Sequence, residues 1–135
     1  MSHLVMVVDD DAAIRAVTAE VLRADGQEVR CASDGMQALA AMRCGPLPEL
    51  VLLDLMMPGI TGWEVLESMY GDPQLATVPV VVLTSLDSRD GLPVGPPTLH
   101  KPVDREVLLD LVHALLDRHD ALVEASPGSP SRGDA

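Results

Sequence analysis

The amino-acid sequence predicts an α/β fold built on a doubly wound parallel sheet, and two patterns carry that expectation. Short uninterrupted apolar runs, which suit strands covered on both faces, alternate with segments of helical period. A polar residue follows each run that ends where a ligand would lie. In order, the run Leu4–Val8 reads as a strand, and Ile14, Val17, Val21 and Leu22 as a helix that Asp11 caps and Gly26 stops. A weaker run, Glu28–Ala32, precedes the helical stripe Met36, Leu39 and Met42, which Gly45 closes. Leu50–Leu53 is the third strand, followed by Trp63, Leu66, Met69 and Tyr70 up to Gly71. Pro79–Leu83 is the fourth, and a short fifth strand falls at Thr98–His100. Asp104 is a fitting N-cap for the last helix, whose stripe is Val107, Leu108, Leu111, Val112, Leu115 and Leu116. Strict alternation with short connections implies right-handed crossovers and helices on both faces.

Only Leu86 to Leu92 could be helical between the fourth and fifth strands, because Gly91, Pro93 and Pro96–Pro97 stop propagation. A short helix or a Pro/Gly-rich loop is expected there, leaving Val107 and Leu111 more exposed and offering an apolar face to a partner or a second copy, as in a homodimer. From Glu124 the chain turns to Ser, Pro and Gly without apolar period, so the domain is read as 1–123 and 124–135 as a disordered tail.

The 135 residues, 47% hydrophobic and 22% charged, suit one domain with one core. Without Phe, that core must come from Val, Leu, Ile, Met and Ala. Twenty-one acidic side chains against nine basic ones give a net charge of −12, which disfavours nucleic acid and anionic lipid. No apolar run nears the about 18 residues of a membrane span, and Met1 to Val8 is too short for a signal peptide, so a cytoplasmic location is expected. Cys31 and Cys44 lack ligand spacing and read as reduced and inert. His3, His100, His113 and His119 share no spacing with a second ligand and read as surface or partly buried.

In an open parallel sheet the ligand site lies beyond the carboxyl ends of the strands, where the strand order reverses. Asp9, Asp10 and Asp11 follow the first run, Asp54 the third, Thr84 and Ser85 the fourth, and Lys101 and Pro102 the fifth. Carboxylates side by side at the switch point repel unless a cation neutralises them, and oxygen-only ligands favour Mg²⁺. Lys101 is the only lysine, a compact point charge for a phosphoryl oxygen. Thr84 adds a hydroxyl, and Ser85 could add an N–H. Together these groups describe a phosphoryl-binding site, with one of the carboxylates as nucleophile.

The segments VVDDD, LVLLDLMMPGITG, VVVLTS and LHKP, in that order, resemble the receiver domain of two-component response regulators over about residues 3 to 119. The resemblance implies a flavodoxin-like strand order 2-1-3-4-5 and a stand-alone, non-enzymatic phosphoacceptor that signals through a further protein. Asp54 would take a phosphoryl group from a histidine kinase or histidine phosphotransfer protein. Mg²⁺ would be bound by Asp10 directly, by Asp9 mostly through water, and by Asp54 and the Met56 carbonyl. Thr84 and Ser85 would form the switch pair, and Lys101 the phosphoryl clamp, with a cis peptide to Pro102. Two positions depart from the family. Thr98 stands where receivers usually carry an aromatic, and the segment between Ser85 and Thr98 is short and proline-rich. Met56 and Leu86 would flank the path of the hydrolytic water, and neither can orient it, so slow self-dephosphorylation is expected.

Singly, each feature has a plainer explanation: Asp11 as a cap, Asp54 and Pro58–Gly59 as a turn, Lys101 as a solvated charge. Jointly, four strand ends converge on one chemistry. A haloacid-dehalogenase-like phosphatase with Asp9 as nucleophile uses similar groups, but it would leave LVLLDLMMPGITG unexplained. A receiver-shaped interaction module without phosphate chemistry would not need the acid pair, Asp54, Thr84 and Lys101.

Overall fold

In the computed structural model, which describes residues 3–85 and 92–124, strands and helices alternate along the chain. They are β1 (Leu4–Val8), α1 (Ala12–Ala24), β2 (Glu28–Ala32), α2 (Gly35–Cys44), β3 (Leu50–Asp54), α3 (Gly62–Tyr70), β4 (Val80–Thr84), β5 (Thr98–His100) and α4 (Arg105–Glu124). All pairings are parallel, in the order β2-β1-β3-β4-β5, as expected. The chain leaves β1 toward one edge and returns to β3 on its other side, so the switch point lies between those two strands. There Val8 pairs with Leu53, which brings Asp9 and Asp54 side by side.

Alternation along each strand divides the core in two. Met6, Val8, Val51, Leu53, Val80 and Val82 pack with Leu39 and Met42 of α2 and with Val65, Leu66 and Met69 of α3. Val5, Val7, Leu50, Leu52, Val81 and Leu83 pack with Leu22 of α1 and with Leu108, Val112 and Leu116 of α4. Strands β3 and β4 are buried at every position, as befits central strands, whereas in edge strand β2 only Ala32 is buried.

The caps follow local chemistry. Asp11 accepts the Ala13 and Ile14 N–H groups, and Asp104 accepts those of Glu106 and Val107. Asp34 and the Thr61–Glu64 capping box start α2 and α3, while Gly45 and Gly71 close them.

Several expectations are corrected. The helical stripes overreach the core: Val17 is 62% and Met36 64% exposed, and Ile14 and Tyr70 are also exposed; Val107 is exposed as expected. Met36, Tyr70 and Val107 sit in end turns, where a helix passes the margin of the sheet. Ile14 and Val17 line an open apolar groove between α1 and the start of α4, with Val103 and Leu108 opposite. Leu111 is half-buried. His3 is buried, with Nε2 3.1 Å from both carboxylate oxygens of Asp120, and His113 Nε2 lies 2.7 Å from Asp25. Both contacts fasten α4. That helix runs through Glu124, one residue past the expected boundary; the remainder of the tail, and residues 86–91 of the expected short helix, lie outside the described residues. Cys31 and Cys44 are free and exposed, and among the described residues no helix is long and apolar enough to cross a membrane.

Two glycines shape the connection behind β3. Gly59, at φ +78°, turns the chain after Pro58 in a conformation that side chains strain to adopt. Gly62 lies against the strand end itself: a Cβ there would come within 2.6 Å of the Asp54 carbonyl oxygen and of Leu55 Cα. Both neighbours are backbone and cannot swing aside. Gly62→Ala should therefore displace the strand end and destabilise the fold by about 1–3 kcal/mol, measured by urea unfolding; an unchanged midpoint would show that the loop absorbs the methyl group.

Candidate functional site

Parallel strands deliver every carboxyl end to one edge of the sheet, and the polar residues behind them meet there. Asp9 follows β1 and is 1% exposed, Asp54 ends β3 at 4%, and Thr84 ends β4 at 0%. Asp9, Asp10, Asp54, Met56, Ser85 and Lys101 line one open pocket with Asp11, Ile14 and Pro102. Thr84 is not among its lining residues, but its carbonyl accepts the Lys101 N–H at 2.8 Å, which ties the fourth strand end to the fifth. The Lys101–Pro102 peptide is cis. Thr98 is half-buried in β5, opposite Val82.

Lys101 Nζ lies 2.7 Å from Asp9 Oδ2 and 3.5 Å from Asp54 Oδ2. Asp9 Oδ1 accepts the Asp11 N–H at 2.9 Å, and Asp54 Oδ1 accepts the Met56 N–H at 3.2 Å. One ammonium thus serves two buried acids while Asp10, more exposed, stands beside them. Burial, the largest influence, pushes the Asp54 carboxyl up to about 6. Lys101 pulls it down, the Asp9 charge raises it, the Met56 N–H lowers it and the contact with Asp10 raises it again. As an anion, Asp54 is thus disfavoured by its burial.

One oxygen each from Asp9, Asp10 and Asp54 lies within 4.8 Å of the others. Octahedral Mg²⁺ holds its ligand oxygens about 3.0 to 4.2 Å apart, so small side-chain adjustments would suffice, and all three donors are hard oxygens. The residues fit the ion. A second group, His3, Glu49 and Asp120, gathers at the opposite end of the sheet.

Sequence reasoning did not single out two residues of this region. Gly62 was legible only as part of a motif, since close approach between backbones leaves no local signature. Arg15, from the first turn of α1, donates from Nη1 to the Asp9 carbonyl at 2.6 Å; its position six residues behind Asp9 on a helix was the available clue.

Between about pH 4 and 6 the folded chain keeps a proton on Asp54 that the unfolded chain, near the ordinary 3.8, has released. Stability from this group is therefore fully present below about pH 4 and is lost as pH rises through about 6. In metal-free protein, Asp54→Asn should flatten that slope and raise stability at pH 7 by on the order of 1 kcal/mol. Thermal unfolding in chelator across this range checks it, and an unaltered slope would contradict it.

Comparison with known proteins agrees with this fold. The family model for the response regulator receiver domain matches residues 5–113. Response regulator PleD of Caulobacter vibrioides is 41% identical over 121 residues, covering 85% of this chain and 26% of that protein. The DNA-binding dual master transcriptional regulator RpaA of Synechocystis is 36% identical over 132 residues, 93% of this chain and 54% of its own length. This chain thus spans about half or less of these relatives. The chemotaxis protein CheY4 of Vibrio cholerae superposes with a TM-score of 0.76 at 30% identity, covering 85% of this chain and 99% of the other. Sequence and fold agree, and the chain belongs to the response regulator receiver domain family.

Proposed function

We propose that this chain is a cytoplasmic, Mg²⁺-dependent phosphoacceptor in which Asp54 takes a phosphoryl group from the phosphohistidine of a histidine kinase or phosphotransfer protein. The observation that carries the reading is the buried Asp54 carboxylate, with Lys101 Nζ at 3.5 Å and the Asp9 and Asp10 oxygens within 4.8 Å. An Asp54 oxygen would bond to phosphorus as the bond from phosphorus to the donor nitrogen breaks, leaving the electron pair on the imidazole. Asp9, Asp10, Asp54 and the Met56 carbonyl would hold Mg²⁺, which when bound neutralises charge on the transferred oxygens. Lys101, already shared between two carboxylates, would exchange one of them for a phosphoryl oxygen. The Thr84 hydroxyl and the Ser85 N–H would hold the remaining oxygens. The phosphorylated domain would then act through contacts with another protein, and no substrate would be released.

Incubation with a small phosphodonor and Mg²⁺, followed by mass spectrometry, should find the label on Asp54 and none in Asp54→Ala or in chelator. Label on Asp9 would favour the dehalogenase-like phosphatase. Met56, half exposed two residues behind Asp54, offers no donor or acceptor able to orient water well. Met56→Asn should shorten the lifetime of the phosphorylated form several-fold, on the scale of about 1 kcal/mol for one hydrogen bond. Decay followed by radiolabel loss tests this, and an unchanged rate would refute it.

A further inference from the structure

Arg15 carries an inference that rests on the metal-binding reading above. Asp9 is held at each of its polar atoms. Its N–H donates to the Ala32 carbonyl at 3.1 Å, Oδ1 accepts from the Asp11 N–H at 2.9 Å, and Oδ2 accepts from Lys101 at 2.7 Å. The carbonyl lies past the end of the β1 ladder, which stops at Val8, and receives Arg15 Nη1 at 2.6 Å. A peptide is planar, so fixing this C=O fixes the following N–H in the opposite direction and sets where the Cα of Asp10 sits. Asp10 is exposed, so burial does not hold it. The guanidinium occupies a carbonyl and not a carboxylate, which leaves the carboxylate oxygens to other cations. Lys101, by contrast, occupies carboxylate oxygens directly.

We infer that Arg15 is a positioning residue for the divalent-cation site, orienting the Asp9–Asp10 peptide so that the Asp10 carboxylate meets the ion. It touches neither metal nor phosphoryl group. A supporting group of this kind is worth about tenfold in metal affinity. The test is calorimetric titration of the full chain with Mg²⁺, for the wild type, Asp10→Asn, Arg15→Gln and Arg15→Lys, with thermal midpoints recorded for each. Arg15→Gln should weaken Mg²⁺ binding about tenfold with little change in midpoint, and Arg15→Lys should recover part of that loss, since an ammonium can still donate to one carbonyl. Phosphorylation by a small phosphodonor should need correspondingly more Mg²⁺ for half-maximal rate while keeping its maximal rate. Wild-type affinity in Arg15→Gln, or a lowered midpoint that Arg15→Lys restores without any change in Mg²⁺ affinity, would overturn the positioning role. Failure of the wild type itself to bind Mg²⁺ would instead overturn the metal-binding reading, and this inference with it.

Discussion

Asp9, Asp10 and Asp54 are driven together by backbone geometry, and the ammonium of Lys101 is what makes their proximity tolerable. Three carboxyl groups within 4.8 Å would repel strongly at the margin of a core, where the effective dielectric is low. A single lysine shared over 2.7 and 3.5 Å neutralises part of that charge. Burial first, and the remaining charge of Asp9 second, are expressed as the raised proton affinity of Asp54. The site is thus held short of positive charge, which is what the proposed divalent ion would supply.

The shortage can be sustained because the strands that carry it are secured elsewhere. Every residue of β3 and β4 is buried, and the apolar contacts run along both faces of the sheet. Burial of this extent outweighs a local repulsion of a few kcal/mol at one end. Parallel pairing then determines which groups share the repulsion. With Val8 opposite Leu53 and Asp54 opposite Leu83, the first acid and the third-strand acid stand at one level of the sheet, and the fourth-strand hydroxyl one residue beyond it.

Much of this was legible in the sequence because it depends on short-range pattern. Apolar runs gave four strands within a residue of their observed limits, and Asp11 and Asp104 announced two helix starts. Thr61 and Asp34 cap just as well but follow less periodic stretches, so their chemistry was easy to pass over. The stripes placed Val17, Met36 and Tyr70 in the core because periodicity records which face of a helix is apolar, not whether the sheet extends far enough to cover it. His3 paired with Asp120 across 117 residues, a contact that no spacing rule could suggest. At the site, residue types at strand ends were readable. The Arg15 and Gly62 contacts were not, since both are made to backbone atoms and so leave no complementary side chain to notice.

The delivery of Lys101 shows how distant contacts reach the chemistry. Strand β5 has three residues, none of them buried, and so short an edge strand holds its successor weakly on its own. Two connections supplement it. The Lys101 N–H bonds the Thr84 carbonyl, and α4, which begins soon after Lys101, sinks Leu108, Val112 and Leu116 into the core beneath β1, β3 and β4. The same helix is fastened near its middle by His113 to Asp25 and in its far half by His3 to Asp120. The ammonium therefore stands over the acids through the docking of a 20-residue helix more than through its own strand. It follows that the position of α4 and the charge balance of the acid cluster are mechanically linked: a shift of this helix would draw Lys101 from Asp9 and Asp54, and capture of Lys101 by a new anion would pull on the root of the helix.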